Sequence, residues 1–220
     1  LDAISDQDLS VNRNHYYCEI AEIYIENDDI QSANNYLLQA RGLHTDSIRS
    51  EYLKMLIDLK NLKTDSAIDS FTSMVNKNKI AYILALPKII QTLNDIDNES
   101  IDLKLRDLLN KDPESKTYLA IVGVMYPEIR NNVIEEVIQT FIENQDIVRE
   151  IDKLDTDYSI VSNISNHLSQ SMRFILNKKM NGEYKYNCKK CGYQTISFSW
   201  QCPTCKSWES SLSINFLKAI

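Results

Sequence analysis

The sequence predicts an all-α fold, a solenoid of helix pairs closed by a small C-terminal metal module, on three observations. The first is scarce backbone punctuation: four glycines and four prolines in 220 residues, where average usage would supply roughly three times as many. Sandwiches and barrels turn too often to be built from so few. The second is a side-chain pattern that recurs every 34 residues through the first two thirds of the chain. The third is that four of the five cysteines fall after residue 187, in two C-x₂-C pairs. A hydrophobic fraction of 43 % with 25 % charged residues is ordinary for a folded globular chain and excludes a disordered one.

The repeat begins with Tyr17, Ile20, Ala21 and Tyr24, which place an aromatic, an aliphatic, a small residue and a tyrosine on one helix. Ala33, Leu37 and Ala40 then place small, large and small on the next. Small residues belong where two antiparallel helices cross closely, and large ones fill the groove between neighbouring pairs. This is the tetratricopeptide (TPR) pattern. A step of 34 from Ala33 reaches Ala67, with Phe71 and Met74 at the same offsets; another reaches Ile101, Leu105 and Leu108, with Pro113 at the terminal position. Three steps from Ala21 predict a small residue at 123, and it is Gly123, within Leu119-x₂-Val122-Gly123-x₂-Tyr126. The phase sets four TPR-like repeats starting near Asn14, Ile48, Tyr82 and Lys116.

Departures from the pattern carry expectations of their own. The first helix of the second repeat has Glu51, Lys54 and Met55 in place of the aromatic and small residues. Pro87 and Pro127 fall inside or at the end of first helices, where a missing N–H and a ring clash would kink or stop them. Glu135 and Gln139 occupy the small and large positions of the last second helix, which therefore misses the pattern. Beyond Asn144 the phase is lost, yet residues 146–181 still read as helix from Ile147, Ile151, Leu154, Ile160, Ile164, Leu168, Met172 and Ile175 at 3.6-type spacing.

A stacked-helix body binds protein segments on its concave face and brings no catalytic machinery. His15, His44 and His167 are far apart, with no Ser, Cys or Asp at triad spacing, so His15 and His44 read as surface or helix-end residues. Cys18 reads as a small packed side chain, and the pairs Asp28–Asp29 and Glu135–Glu136 as solvated turn and helix surface. No phosphate loop, nucleophile elbow or H-E-x-x-H occurs, and the chain is expected not to be an enzyme. The net charge of −7 argues against a nucleic-acid binder, but it is uneven. From Arg173 onward eight Lys/Arg face two acids, leaving −13 on residues 1–172. A basic module docking on an acidic body is the plain reading, and an anionic membrane or partner the sharper one. No run is apolar enough for a transmembrane helix, and a signal peptide is absent. Leu1 is not an initiator Met, so the chain reads as a fragment with room for an upstream anchor.

The C-terminal segment runs Tyr186-Asn-Cys188-Lys-Lys-Cys191-Gly192-Tyr193 and Trp200-Gln-Cys202-Pro203-Thr-Cys205-Lys-Ser-Trp208, a C-x₂-C-x₁₀-C-x₂-C pattern. Two residues between cysteines let a tight turn aim both thiolates at one ion, and two such knuckles complete a tetrahedron. Cys188, Cys191, Cys202 and Cys205 are the predicted ligands of one tetrahedral ion, iron or zinc. Gly192 suits the left-handed turn after the second cysteine. A module this small needs the ion for its stability. The predicted domains are a helical repeat over 1–181 and the four-cysteine module over 182–220. The module is open to three uses: a zinc ribbon on nucleic acid, which the acidic body opposes; a rubredoxin-like electron carrier, although Lys206 stands where a second Gly is usual; and a metal-shaped lid or clasp on the repeat.

Helical repeats followed by a rubredoxin-like, zinc-ribbon module ending W-x-C-P-x-C-x-x-W resemble the lipopolysaccharide assembly protein B family, strongest at His15–Ala21, Asp28-Asp29, Ala33 and Tyr186–Trp208. The resemblance implies a non-enzymatic adaptor on the cytoplasmic face of the bacterial inner membrane, held by an N-terminal helix upstream of Leu1. It implies partners too: a membrane AAA protease, the lipid A pathway deacetylase whose proteolysis the adaptor promotes, and other lipopolysaccharide assembly proteins, with a homodimer left open. It favours iron on the four cysteines and a module packed against the repeat. The alternative is a redox or electron-transfer module on a TPR scaffold.

Overall fold

The computed structural model describes residues 6–93, 98–126, 128, 129, 131–143, 186–211, 213 and 214. The fold is all-α and TPR-like, as the repeat phase predicts. α1 (Asp6–Glu26) pairs with α2 (Ile30–Leu43), and α3 (Ile48–Lys60) with α4 (Thr64–Lys77). α5 (Ala81–Leu93), α6 (Asn98–Lys111), α7 (Ser115–Met125) and α8 (Asn132–Glu143) follow. The second helices begin at Ile30, Thr64, Asn98 and Asn132, 34 residues apart at every step. Among the described residues, no helix is long and apolar enough to cross a membrane.

The punctuation repeats with the helices. α1 and α3 both end in a left-handed residue, Asp28 (φ 63°) and Leu62 (φ 55°). In each, the next N–H reaches back five residues, Asp29 to the Tyr24 carbonyl at 2.9 Å and Lys63 to the Asp58 carbonyl at 2.8 Å. This closure satisfies carbonyls that the helix end would orphan and reverses the chain into the second helix without a glycine. Asp29 then caps α2, its carboxylate accepting from Ser32 N–H at 3.0 Å.

Two compact units result, one of α1–α4 with the described residues between 186 and 214, the other of α5–α8 from Tyr82. In the first, Cys18, Ala21, Ala33 and Ala40 are fully buried at the α1–α2 crossing, with Ile25, Leu37, Leu53 and Ile57 around them. Burial pushes the Cys18 thiol up to about 11, which keeps it protonated and suits the packing role expected of it. Glu51 and Lys54, the misfits of the second repeat, find partners: Arg41 holds Glu51 at 3.1 Å, and Lys54 donates to Asp58, Ser66 and Ser70.

In the second unit the small residue predicted at 123 meets its reason. A Cβ on Gly123 would lie 2.5 Å from Ile138 Cδ1 and 2.7 Å from Ile134 Cγ2, so α8 can approach α7 only over a glycine. Two departures from the pattern find their physical reason here. α8 is well formed although Glu135 and Gln139 miss the pattern, because its buried face is carried by Val133, Ile134, Val137 and Ile138. Pro87 does not stop α5, which runs on to Leu93. Proline removes the donor to the carbonyl four residues earlier, that of Ile83, and the Tyr126 hydroxyl donates to that carbonyl at 3.4 Å. α7 ends at Met125; Pro127, the helical reading of 146–181 and His167 lie outside the described residues.

Candidate metal centre and its seat on the helices

The residues from Tyr186 form a three-stranded antiparallel sheet, β1 (Tyr186–Asn187) between β2 (Gln194–Thr195) and β3 (Ser213–Ile214). Tyr186 stands opposite Thr195 on one side and Ile214 on the other. Two knuckles extend from this frame with matching hydrogen bonds. Gly192 N–H donates to the Cys188 carbonyl at 2.9 Å, and Lys206 N–H to the Cys202 carbonyl at 2.9 Å; Cys188 N–H donates to Tyr193 O, and Cys202 N–H to Ser207 O. Gly192 takes φ 75°, the left-handed turn predicted for it, and Lys206 takes the same turn at φ 59° without being glycine.

The knuckles bring Cys188, Cys191, Cys202 and Cys205 together, with all four sulfurs within 4.8 Å of one another. Cys188 Sγ lies 3.7 Å from Cys205 Sγ and Cys191 Sγ 3.6 Å from Cys202 Sγ, far beyond the roughly 2.05 Å of a disulfide. A tetrahedral ion with bonds of about 2.3 Å to sulfur would have sulfur–sulfur edges of about 3.8 Å. The set therefore fits one ion, which when bound would cross-link the two knuckles; iron would add one-electron chemistry and zinc would not.

Cys188 and Cys202 are buried, whereas Cys191 and Cys205 are exposed. Burial pushes the Cys188 thiol up, but Ser210 Oγ, 3.3 Å away, and the N–H groups of Cys191 and Lys190 outweigh it and hold it at about 6. The Ser207 hydroxyl and N–H likewise pull Cys205 down. Cys191 is drawn down by the Tyr193 N–H, yet desolvation and the neighbouring thiols push it up to about 12.

The module is seated on α1 and α3 through residues 208 and 209, with Trp200 beside them against Tyr52. Glu209 is left-handed (φ 49°), and its carboxylate accepts from Ser47 Oγ at 2.8 Å, Ile48 N–H at 3.2 Å and Arg49 N–H at 2.9 Å. The Ile48 and Arg49 N–H groups are the first donors of α3, which have no partner inside the helix, and the carboxylate also meets the positive end of its dipole. The Ser47 hydroxyl in turn accepts from Ser50 N–H at 3.2 Å. Trp208 donates through Nε1 to Asn12 Oδ1 at 2.8 Å and stacks on His15 at 4.4 Å.

Arg49 completes the seat. Its guanidinium carbon is 5.8 Å from the ring centres of both Trp200 and Trp208, the span of a cation–π contact. The side chain is 4 % exposed, with Glu22 at 2.7 Å and Glu19 at 3.6 Å. His15, expected at the surface, is 1 % exposed, because Trp208 covers it. Burial first, then the charge of Arg49, lowers it to about 3, so it is a neutral ring near pH 7. The expectation of a basic module on an acidic body also fails at this contact, where an acid of the module caps a helix of the body and an arginine of the body enters the module's aromatic face. Lys189, Lys190 and Lys206 point to solvent instead.

Sequence reading found the four cysteines and Gly192 but not Arg49, Ser47 or Asn12, and Glu209 entered only as a charge. The outward signal was local: Ser47 is a good N-cap residue two positions before Arg49, at the start of α3.

Residues 186–210 match the family described as rubredoxin metal binding domain. Over 211 residues, 94 % of the chain, the sequence is 18 % identical to lipopolysaccharide assembly protein B of Escherichia coli strain K12. The protein of the same name from Escherichia coli O157:H7 matches to the same extent. Because the match takes 54 % of those proteins, the chain spans about half the length of the curated relatives it matches. The chain is thus similar to lipopolysaccharide assembly protein B along nearly its whole length, a TPR-like helical repeat ending in a rubredoxin-type four-cysteine module.

Proposed function

We propose that this chain is a non-enzymatic adaptor in lipopolysaccharide assembly, with a repeat body over 1–181 and a module over 182–220 in which Cys188, Cys191, Cys202 and Cys205 bind one metal ion. The observation that carries the reading is the seat of the module on α1 and α3. A helical repeat offers surface for protein segments, and a metal-folded module bolted to it by Trp208 and Glu209 fixes a second surface beside the first. The relatives' name supplies the pathway. In this reading the adaptor works at the cytoplasmic face of the inner membrane, where it brings the lipid A pathway deacetylase to a membrane AAA protease and gathers other lipopolysaccharide assembly proteins.

Affinity capture from membrane extract tests it, using the native chain beside Cys188→Ser. Recovery of the protease and the deacetylase by the native chain, and their loss with the variant, is the expected result. Equal recovery of neither by both chains would sink the adaptor reading.

A second reading is favoured by one observation, the exposure of Cys191 and Cys205, which would leave an iron centre within electron-transfer reach of a partner. It expects a red protein that is reversibly bleached by dithionite. A colourless protein carrying one zinc per chain ends it.

A further inference from the structure

We propose that Glu209, Arg49 and Ser47 are positioning residues for the four-cysteine centre, so that the α1–α3 surface and the ion hold each other in place. The inference rests on the reading of the four cysteines as ligands of one ion.

Residues 207–210 form a short strap with one side on the knuckles and the other on the helices. On the knuckle side, Ser207 O accepts from Cys202 N–H at 2.9 Å, Glu209 N–H donates to Trp200 O at 2.7 Å, and Ser210 O accepts from Lys189 N–H at 2.8 Å. Ser207 Oγ and Ser210 Oγ each stand 3.3 Å from a sulfur, those of Cys205 and Cys188. On the helix side stand the three hydrogen bonds of the Glu209 carboxylate and the indole bond of Trp208 to Asn12. Arg49 lies between the two tryptophans that flank the second knuckle.

Every residue of the strap that helps shape a knuckle is therefore also tied, directly or through its neighbour, to α1 or α3. The left-handed backbone at Glu209 points the same way. A residue with a Cβ adopts that conformation only when its surroundings hold it, and here the holders are Trp200 O, which accepts the Glu209 N–H, and the N-terminus of α3, which takes its carboxylate. Coupling of this kind is reciprocal. If the ion fixes the strap for the helices, the helices fix the strap for the ion, and loosening either side loosens the other.

The test is the rate at which the zinc-loaded chain gives up its metal to an excess of a chromophoric chelator. Glu209→Ala and Arg49→Ala are expected to release zinc about tenfold faster than the native chain, the size of a typical coupling between sites. Glu209→Gln, which keeps a carbonyl oxygen to accept from the α3 donors, should recover part of the loss. Arg106→Ala removes an exposed ion pair to Glu136 in the other unit and should release zinc at the native rate. Equal rates for the native chain, Glu209→Ala and Arg49→Ala would overturn the proposal.

Where Glu209→Ala loses helix by circular dichroism, Asn12→Ala takes its place, since it frees only the Trp208 indole and leaves α3 capped. Its release should still be faster than native, and unchanged release overturns the proposal as surely. A native chain that takes up no stoichiometric zinc, iron or cobalt refutes the four-cysteine reading itself, a different failure from metal that binds and leaves at one rate in every variant.

Discussion

Lys206 sits at φ 59° in the second knuckle, where the first has Gly192 at φ 75°. The left-handed region costs a residue with a Cβ about 1–2 kcal/mol, and Lys206 stays there because its N–H closes the turn on Cys202 O. Lys206→Gly is expected to raise the stability of the loaded protein by about 0.5–1 kcal/mol in urea titration, and Gly192→Ala to lower it by about 1 kcal/mol. His15 carries a pH dependence. Its folded value of about 3 lies below the 6.5 of the unfolded chain, so the unfolded state takes the proton first as pH falls. Its contribution is complete above about pH 6.5 and declines toward pH 3, by at most about 1.4 kcal/mol per pH unit. Urea midpoints at pH 7 and pH 4.5 should therefore converge in His15→Phe relative to the native chain, and an equal acid loss in both would show that His15 is not responsible. Sequence reading missed this burial for a physical reason. A single histidine has no period, and the ring that covers it lies 193 positions further on, at Trp208.

At the scale of elements the repeat was legible because helices that cross closely demand small side chains at a fixed spacing. Gly123 shows how strict the demand is. Alanine is the better helix former by about 1 kcal/mol, but its Cβ would meet Ile138 and Ile134 inside contact distance, and overpacking costs about 1–3 kcal/mol. Gly123→Ala is expected to destabilise the chain, and Ile138→Val, which removes the nearer methyl, to restore part of the loss; a Gly123→Ala protein more stable than native would refute the packing account. α5 was less legible. Proline was expected to kink or stop the helix, and the donor that replaces its missing N–H comes from Tyr126, 43 residues beyond the Ile83 carbonyl that it meets. Tyr126→Phe should cost about 0.5–1.5 kcal/mol in the native background. In a Pro87→Ala background, where the chain supplies its own donor, the cost should fall toward zero, and a cycle with no coupling would detach Tyr126 from the proline. α8 evaded the pattern because its buried face is shifted onto Ile134 and Ile138, beside the positions that a strict step of 34 selects.

For the whole molecule, the metal module was the most legible part, since paired C-x₂-C motifs have few other uses, whereas its seat was not. Nothing in the order of residues couples Glu209 to Ser47; only the folded chain brings an acid to that helix end. The Trp208 side chain and the Glu209 carboxylate bind α1 and the N-terminus of α3, so stripping the ion is expected to loosen those helices selectively. Hydrogen exchange with and without a strong chelator should show faster exchange in the first turn of α3 and around Asn12–Tyr16, with α7 and α8 little changed. Uniform protection in both conditions would separate the ion from the helices. The seat also has a history within each new molecule. The Arg49 amide waits for a carboxylate 160 residues downstream, and at the usual pace of synthesis that delay is on the order of ten to thirty seconds. During it Arg49 lacks its two tryptophans and the Ile48 and Arg49 N–H groups lack their carboxylate, so the same surface that ends as the module's seat begins as an open landing place for whatever attends the growing chain.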